Sequence, residues 1–352
     1  MSAFPPPFLP ERRSAFSGRL AAIVVACAIV ALATTLVAAD PAPPTQDEIK
    51  AAVTKSLPLL TNAARVSKEE RDGCFTCHNQ GLPIIALSIA ATRGFAIDQE
   101  TLRDQVKFTA AFLTKHRAEY LEGKGQGGQA DTAGYALWAL EQGGWKADAT
   151  TAAVAEYLLG YQMDLVHWKP QSRRPPTEQS LFTSTHVALR GLKTFGSAEQ
   201  RERIQQRMER VREWLLKTPA EDTEDAVSRL RALRVAEAAP HEIGNAVQTL
   251  LHSQGADGGW AQLPDQESDA YATGTALAAL HQAGDLPVDD RSYVRGLRYL
   301  LAAQLPDGSW HVKTRSKPIQ TYYEGGYPHE KDQFISSAAA SWATIALALA
   351  VE

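Results

Sequence analysis

Gln254-Gly255-Ala256-Asp257-Gly258-Gly259-Trp260 returns as Gln304-Leu305-Pro306-Asp307-Gly308-Ser309-Trp310, 50 residues later. A repeat of this period marks stacked supersecondary units. Each copy follows an amphipathic stretch and precedes, after a loop, an alanine-rich one such as the run from Asp269 to Leu280. That pairing occurs six times along the chain. Outer helices are predicted near 46–66, 98–121, 148–162, 198–217, 241–253 and 289–304. The fourth carries Ile204, Met208, Val211 and Leu215 on one face and arginines on the other, as a helix with one wet face should. Inner partners are predicted near 77–93, 131–143, 178–195, 224–238, 269–283 and 332–350, where Ala, Gly, Ser and Thr suit packing on both sides.

Twelve helices alternating in this way cover every apolar stripe if they close on themselves. The expected fold is therefore all-α, a single (α/α)6 toroid of six helical hairpins over residues 40–352. In it the inner helices run parallel, so the two kinds of connection lie at opposite ends. Inner-to-outer turns are short and marked by Gly94, Gly143-Gly144, Gly196, Ala239-Pro240 and Gly284-Asp285. Outer-to-inner loops are longer, above all 305–331, and long loops on a rigid scaffold usually carry function. The functional mouth is expected where the inner helices begin.

Residues 1–39 read as an export signal: Arg12, Arg13 and Arg19 precede an uncharged run from Leu20 to Val37, and Val37-Ala38-Ala39 supplies small residues for cleavage. The same run is long enough to stay as a membrane anchor. Val24-Val25-Ala26-Cys27 has the look of a lipobox, but the apolar stretch continues past the cysteine. The expectation is a periplasmic or otherwise exported protein, touching a membrane only through this segment if it is uncleaved. The whole chain has 36 basic and 40 acidic residues; residues 1–39 hold three and one of these, which leaves −6 for the rest. No basic face points to nucleic acid.

The Gln-x-x-Asp-Gly-x-Trp repeats at 254–260 and 304–310 resemble the QW motif of squalene-hopene and oxidosqualene cyclases, and six hairpins look like one of their barrels. The resemblance implies that these Gln and Trp residues tie neighbouring outer helices together. It implies an isoprenoid-like substrate and an acid taken from an Asp-x-Asp-Asp motif, whose nearest counterpart is Asp222-Thr223-Glu224-Asp225. The acid position falls on Glu224, where Glu stands in place of Asp. Prenyltransferase β subunits share the barrel, but their zinc set of Asp, Cys and His cannot be placed, because Cys74 and Cys77 are the only cysteines after residue 39. Cys-x-x-Cys-His, a QW-bearing barrel and Tyr327-Pro328-His329-x-x-Asp332-Gln333-x-Ile335-Ser336 together are similar to exported cyclase-like proteins, a kinship that gives no reaction.

Cys74-Phe75-Thr76-Cys77-His78 fits the attachment signature of c-type haem: two thiols form thioethers and the adjacent His ligates iron. A Cys74–Cys77 disulfide is the alternative. Met163, His186 and His329 are the candidates for a sixth ligand, and five-coordinate iron is open. His78, Asp131, Glu178, Asp225, Asp269 and Asp332 all fall at or near the start of an inner helix. As helix caps they would satisfy orphan backbone donors; as an acidic rim they would bind a cation or supply an acid. Glu224, Asp225 and Asp269 are the catalytic candidates. Tyr322, Tyr323, Tyr327, His311 and His329 beside Gly325-Gly326 suit a lid, and Arg173-Arg174-Pro175-Pro176 places cations at the same end.

Three readings follow. The first is a haem-bearing redox protein with a periplasmic electron partner and an apolar or isoprenoid ligand. The second is a haem-free cyclase-like enzyme using Glu224 or Asp225. The third is a binding module with a disulfide and capping acids.

Overall fold

Caps and Gly-marked stops in the sequence delimit the helices of the computed structural model, which describes residues 42–71, 73–318 and 321–352. Residues 1–41, where the export or anchor segment and Cys27 fall, lie outside the described residues. Among the described residues no helix is long and apolar enough to cross a membrane.

The outer helices are α1 (Gln46–Glu70), α3 (Gln99–Lys115) with its short continuation α4 (Arg117–Leu121), α6 (Ala149–Gly160), α8 (Arg201–Lys217), α10 (Pro240–His252) and α12 (Arg291–Ala303). The inner ones are α2 (Leu82–Thr92), entered through a π-helical turn at Cys77–Gly81, then α5 (Ala130–Gln142), α7 (Leu181–Phe195), α9 (Thr223–Val235), α11 (Ala270–Gln282) and α13 (Gln333–Leu349). Every hairpin expected from the sequence is present. Four of the six outer helices start on side-chain caps: Thr45 with Glu48 as a capping box, Asp98, Asp148 and Asp290 each accept first-turn backbone N–H groups, which leaves fewer orphan donors.

Each inner helix packs on the next, from α2 through α5, α7, α9 and α11 to α13, and α13 packs back on α2. The ring is closed. Small residues make that possible: a Cβ on Gly134 would stand 2.7 Å from the Val187 backbone, and one on Gly274 would stand 2.6 Å from the Ala343 nitrogen. The outer circle closes where α12 meets α1.

The repeats act as ties between outer helices. Gln254 Nε2 donates to Ser292 O at the start of α12, and Gln304 Nε2 donates to Ala52 O of α1, at 2.8 and 2.9 Å. Trp260 and Trp310 are fully buried and donate to Leu250 O and Leu300 O, ten residues back, both at 2.8 Å. Gly308 has φ 91° and lies so close to α1 that a Cβ would sit 2.5 Å from Lys55 O; only glycine meets both demands. A third Trp does the same work unannounced by the pattern. Trp168 Nε1 donates to Leu158 O at 3.1 Å, and the Arg207 guanidinium of α8 lies 4.3 Å from its ring centre. The Asp-Gly turn is missing from Gln162–Trp168, so the tie comes from an arginine of the next helix instead.

The two strands are brief. β1 (Trp260–Ala261) and β2 (Ser268–Asp269) pair antiparallel in the loop before α11, with Trp260 opposite Asp269.

Candidate functional site

At the mouth, where the inner helices begin, lies a cavity of about 100 Å³. Cys77, His78 and Leu82 of the first hairpin line it, with Asp131 and Tyr135 of α5, Tyr271 of α11, and Phe334, Ile335 and Ala338 of α13. A strap between α6 and α7 closes it with Arg174, Pro175, Pro176, Thr177 and Glu178, and the last loop adds Thr314 and Ser316. Ser316 Oγ donates to Pro175 O at 2.9 Å, which joins the two covers. Inside the strap the Arg174 guanidinium and Ser172 hydroxyl both donate to Glu178, with Arg174 Nε 2.9 Å from Oε2.

Asp131, 3% exposed, is the second residue of α5. Neither of its oxygens has a hydrogen-bond partner. Burial pushes its pKa up to about 7 against the lowering effect of the Ser184 hydroxyl, which lies within hydrogen-bonding reach though not in good geometry, and of Arg174; Glu178 and Glu224 add to the rise. A buried polar group without a partner costs about 1–3 kcal/mol, so such a group at a cavity wall points to a ligand.

His78 presents a second unpartnered atom. Its Nε2 is buried and makes no hydrogen bond. The ring packs edge-on against Phe334, 5.0 Å between centres. Burial, then Arg174 and Arg71, lowers its pKa to about 3, so the imidazole is neutral. Burial pushes the Cys77 thiol well up, helped by Glu178 and Asp131. Cys74 is exposed, and the two cysteines are free thiols, so the disulfide of the third reading is not formed.

The remaining acids separate by helix face. Glu224 is buried behind Tyr271: Thr183 Oγ1 donates to its Oε1 at 2.6 Å and Tyr271 OH to its Oε2 at 2.8 Å. Burial raises its pKa against the lowering effect of these two hydroxyls. Asp225 turns away from the cavity and accepts from Ser180 Oγ at 2.6 Å and Glu221 N at 3.2 Å. Asp269 caps α11, accepting from Ala272 N and Gln262 Nε2, each at 2.9 Å; burial still raises its pKa. Asp332 accepts from Thr314 N and pairs with His311 Nε2, each at 2.9 Å. Burial would lift its pKa, but those partners outweigh it and the net direction is down. Asp269 is thus a cap, Glu178 and Asp332 hold loops, and Asp131 alone of the acids lining the cavity keeps its oxygens unpaired.

The other candidates are spread out. Met163 is 60% exposed in the loop after α6. His186 is buried within the ring, edge-on to Trp138 at 5.1 Å, and burial drives its pKa well down. His329 stacks on His311 at 4.5 Å and its Nε2 meets Ser309 Oγ at 2.9 Å. None of the three lines the cavity with His78. Of the lid tyrosines, Tyr322 is exposed, Tyr327 is buried, and Tyr323 packs on Phe334 at 5.3 Å with the Arg71 guanidinium 4.5 Å from its ring.

Tyr135, Tyr271 and Phe334 were not singled out from sequence as cavity residues. A positional signal exists: Asp131, Glu224, Tyr271 and Phe334 are each the second residue of an inner helix, and Tyr135 lies one turn after Asp131 on the same face. Among the described residues no three of His, Cys, Asp and Glu gather as ligands for a bare metal ion.

The chain matches no family model, and no curated protein matches it. Solved structures do. A glycosidase variant is 12% identical, over 87% of this chain and 98% of that one, with a TM-score of 0.61. The type II terpene cyclase MstE from Scytonema is 13% identical over 87% and 99%, with a TM-score of 0.55. A variant of that cyclase in complex with geranylgeranyl dihydroxybenzoate, 14% identical over 86% and 98%, gives 0.57. The chain shares the α/α toroid fold of these glycosidase and terpene cyclase structures. At such identities the likeness is one of fold, and here one fold carries two chemistries, so function rests on the site.

Proposed function

We propose that the mouth of this toroid is a small-molecule site, with Asp131 as the group that engages the ligand. The observation that carries this reading is the buried Asp131 carboxyl on the cavity wall, whose oxygens make no hydrogen bond of good geometry and have only the Ser184 hydroxyl within reach. Size limits the occupant. A volume of about 100 Å³ is well below the ~300 Å³ of ordinary ligand pockets, so it takes a few non-hydrogen atoms. An isoprenoid chain would need the strap at 174–178 moved aside. Glu224 and Asp225 favour acid catalysis less than Asp131 does, since their oxygens already accept hydrogen bonds. The test is a thermal-shift screen of small neutral, anionic and cationic compounds on the wild type and on Ala338→Leu, whose added side chain fills the cavity. At least one class should stabilise the wild type and lose that effect in the variant; no response to any class sinks the reading.

A second reading is favoured by the unpartnered, neutral Nε2 of His78 beside the Cys77 thiol. Neutral imidazole is the form that ligates metal, so the donors suit a c-type haem held by Cys74, Cys77 and His78. A cavity of about 100 Å³ does not contain a porphyrin, and the strap would have to stand elsewhere. The attached group would supply one-electron transfer to an electron partner, and this reading requires export, as residues 1–39 suggest. Protein exported alongside a c-type maturation system should give a pyridine haemochrome spectrum and a haem-sized increase in intact mass, both lost in Cys77→Ala. An apo mass under those conditions overturns it.

A further inference from the structure

We infer that the ligand of the mouth cavity is a small organic cation, an alkylammonium whose charged head sits against Asp131 and whose carbon body lies among aromatic rings. This rests on the reading of the cavity as a small-molecule site.

Charge selects the class. The charged side chains at the cavity wall are Asp131, Glu178 and Arg174, and Arg174 is already committed to Glu178 within the strap. His78 is neutral. The wall therefore carries one carboxyl with no compensating charge and no cation left for an anionic ligand. Groups behind the wall do not reverse this. On α9, Arg231 lies over Trp342 at 4.2 Å and donates to Thr275 O at 3.2 Å, while Glu224 of the same helix adds negative charge. On α7 the nearest group is the Ser184 hydroxyl, and on the first hairpin the Cys77 thiol, protonated by burial.

Hydrogen bonding agrees with charge. The Ser184 hydroxyl offers Asp131 one donor and neither oxygen makes a bond of good geometry, which leaves acceptor capacity open, and an ammonium head has two or three N–H groups to give. A neutral alcohol offers one donor, and a carboxylate ligand offers none. The rings of Tyr135, Tyr271 and Phe334 complete the argument, because aromatic faces attract cations and cover an alkyl body. The volume sets the scale at amines of two to four carbons or so, given the few non-hydrogen atoms the cavity admits.

The experiment is calorimetric titration of the full chain with ethylammonium chloride, with ethanol as the neutral match and sodium acetate as the anion. Ethylammonium should bind at least tenfold more tightly than ethanol, acetate should not bind, and Asp131→Asn, checked for native circular dichroism, should lose tenfold or more for ethylammonium alone. With the wild type, which needs no variant to fold, affinity should fall towards tenfold per pH unit as pH drops below about 7, where Asp131 takes up its proton. Ethanol or acetate binding as well as ethylammonium, or a flat pH profile, overturns the inference and leaves the cavity reading standing. If none of the three binds and the wider screen is also silent, both fall.

Discussion

Asp131→Asn is expected to make the protein more stable above pH 7 and to leave it almost unchanged at pH 4. The Asp131 pKa goes from an ordinary 3.8 to about 7 on folding, mainly because burial disfavours the charged form. A raised folded pKa means that the favourable contribution is fully present below the unfolded value and is lost as pH rises through the folded one. Between those limits the unfolded chain ionises while the folded chain does not. At ~1.4 kcal/mol per unit the full loss is about 4 kcal/mol. Asparagine never ionises, and its buried amide replaces a neutral carboxyl that is just as buried, so the cost of about 1–3 kcal/mol for such a group is common to both proteins. The net gain at pH 8 should therefore be about 4 kcal/mol, measured as the difference between urea denaturation curves of the two proteins at pH 4 and pH 8. His78 and the other buried acids titrate in both proteins, so their contributions cancel in that difference. A gap that is the same at both pH values would remove Asp131 as its cause.

That carboxyl also shows where sequence reading stops. The spacing of His78, Asp131, Glu178, Asp225, Asp269 and Asp332 places them all at one end of the ring, because each begins the same kind of hairpin. It says nothing of face. A helix turns about 100° per residue, so Glu224 and Asp225, neighbours in sequence, diverge: one reaches Tyr271 and the other Ser180, just ahead of α7. Which residue caps the helix decides the rotation. Asp222 caps α9, accepting from Asp225 N at 2.9 Å, and so places Glu224 inward. Ser180, not Glu178, caps α7. Had the caps been assigned first, the second residues of α9 and α11, Glu224 and Tyr271, would have stood out; α5 begins on Gln129 with no side-chain cap, so Asp131 would not. The hairpins were legible for a different reason. Their signal is spread over a dozen residues of apolar periodicity and repeated six times, whereas the orientation of one side chain depends on a single cap. The cavity size was not legible at all, since it is set by the strap at 174–178 lying over Tyr271 and Phe334, a meeting of segments that no local pattern records.

Trp310→Ala should be the most damaging single truncation in the fold, at about 3–5 kcal/mol. Packing accounts for most of this: the indole is fully buried, and alanine leaves its space unfilled. Its Nε1 also donates to Leu300 O at 2.8 Å, fixing the loop at the end of α12. That loop carries Gln304, whose Nε2 reaches Ala52 O in α1, and Gly308, whose backbone lies against Lys55 O. The seam it holds joins the first hairpin to the last, a contact closed across about 250 residues of chain, where no short loop keeps the partners near each other. Trp168→Ala removes as large a buried ring but acts on a tie between consecutive outer helices, which the intervening hairpin holds together. Both variants should lose stability in thermal unfolding, yet only Trp310→Ala should speed hydrogen exchange in α1 and α12 together under native conditions. A loss below about 1 kcal/mol, or exchange confined to residues 304–310, would mean that the seam is held by the α13 contacts with α1 and α2 rather than by the repeat that closes the ring.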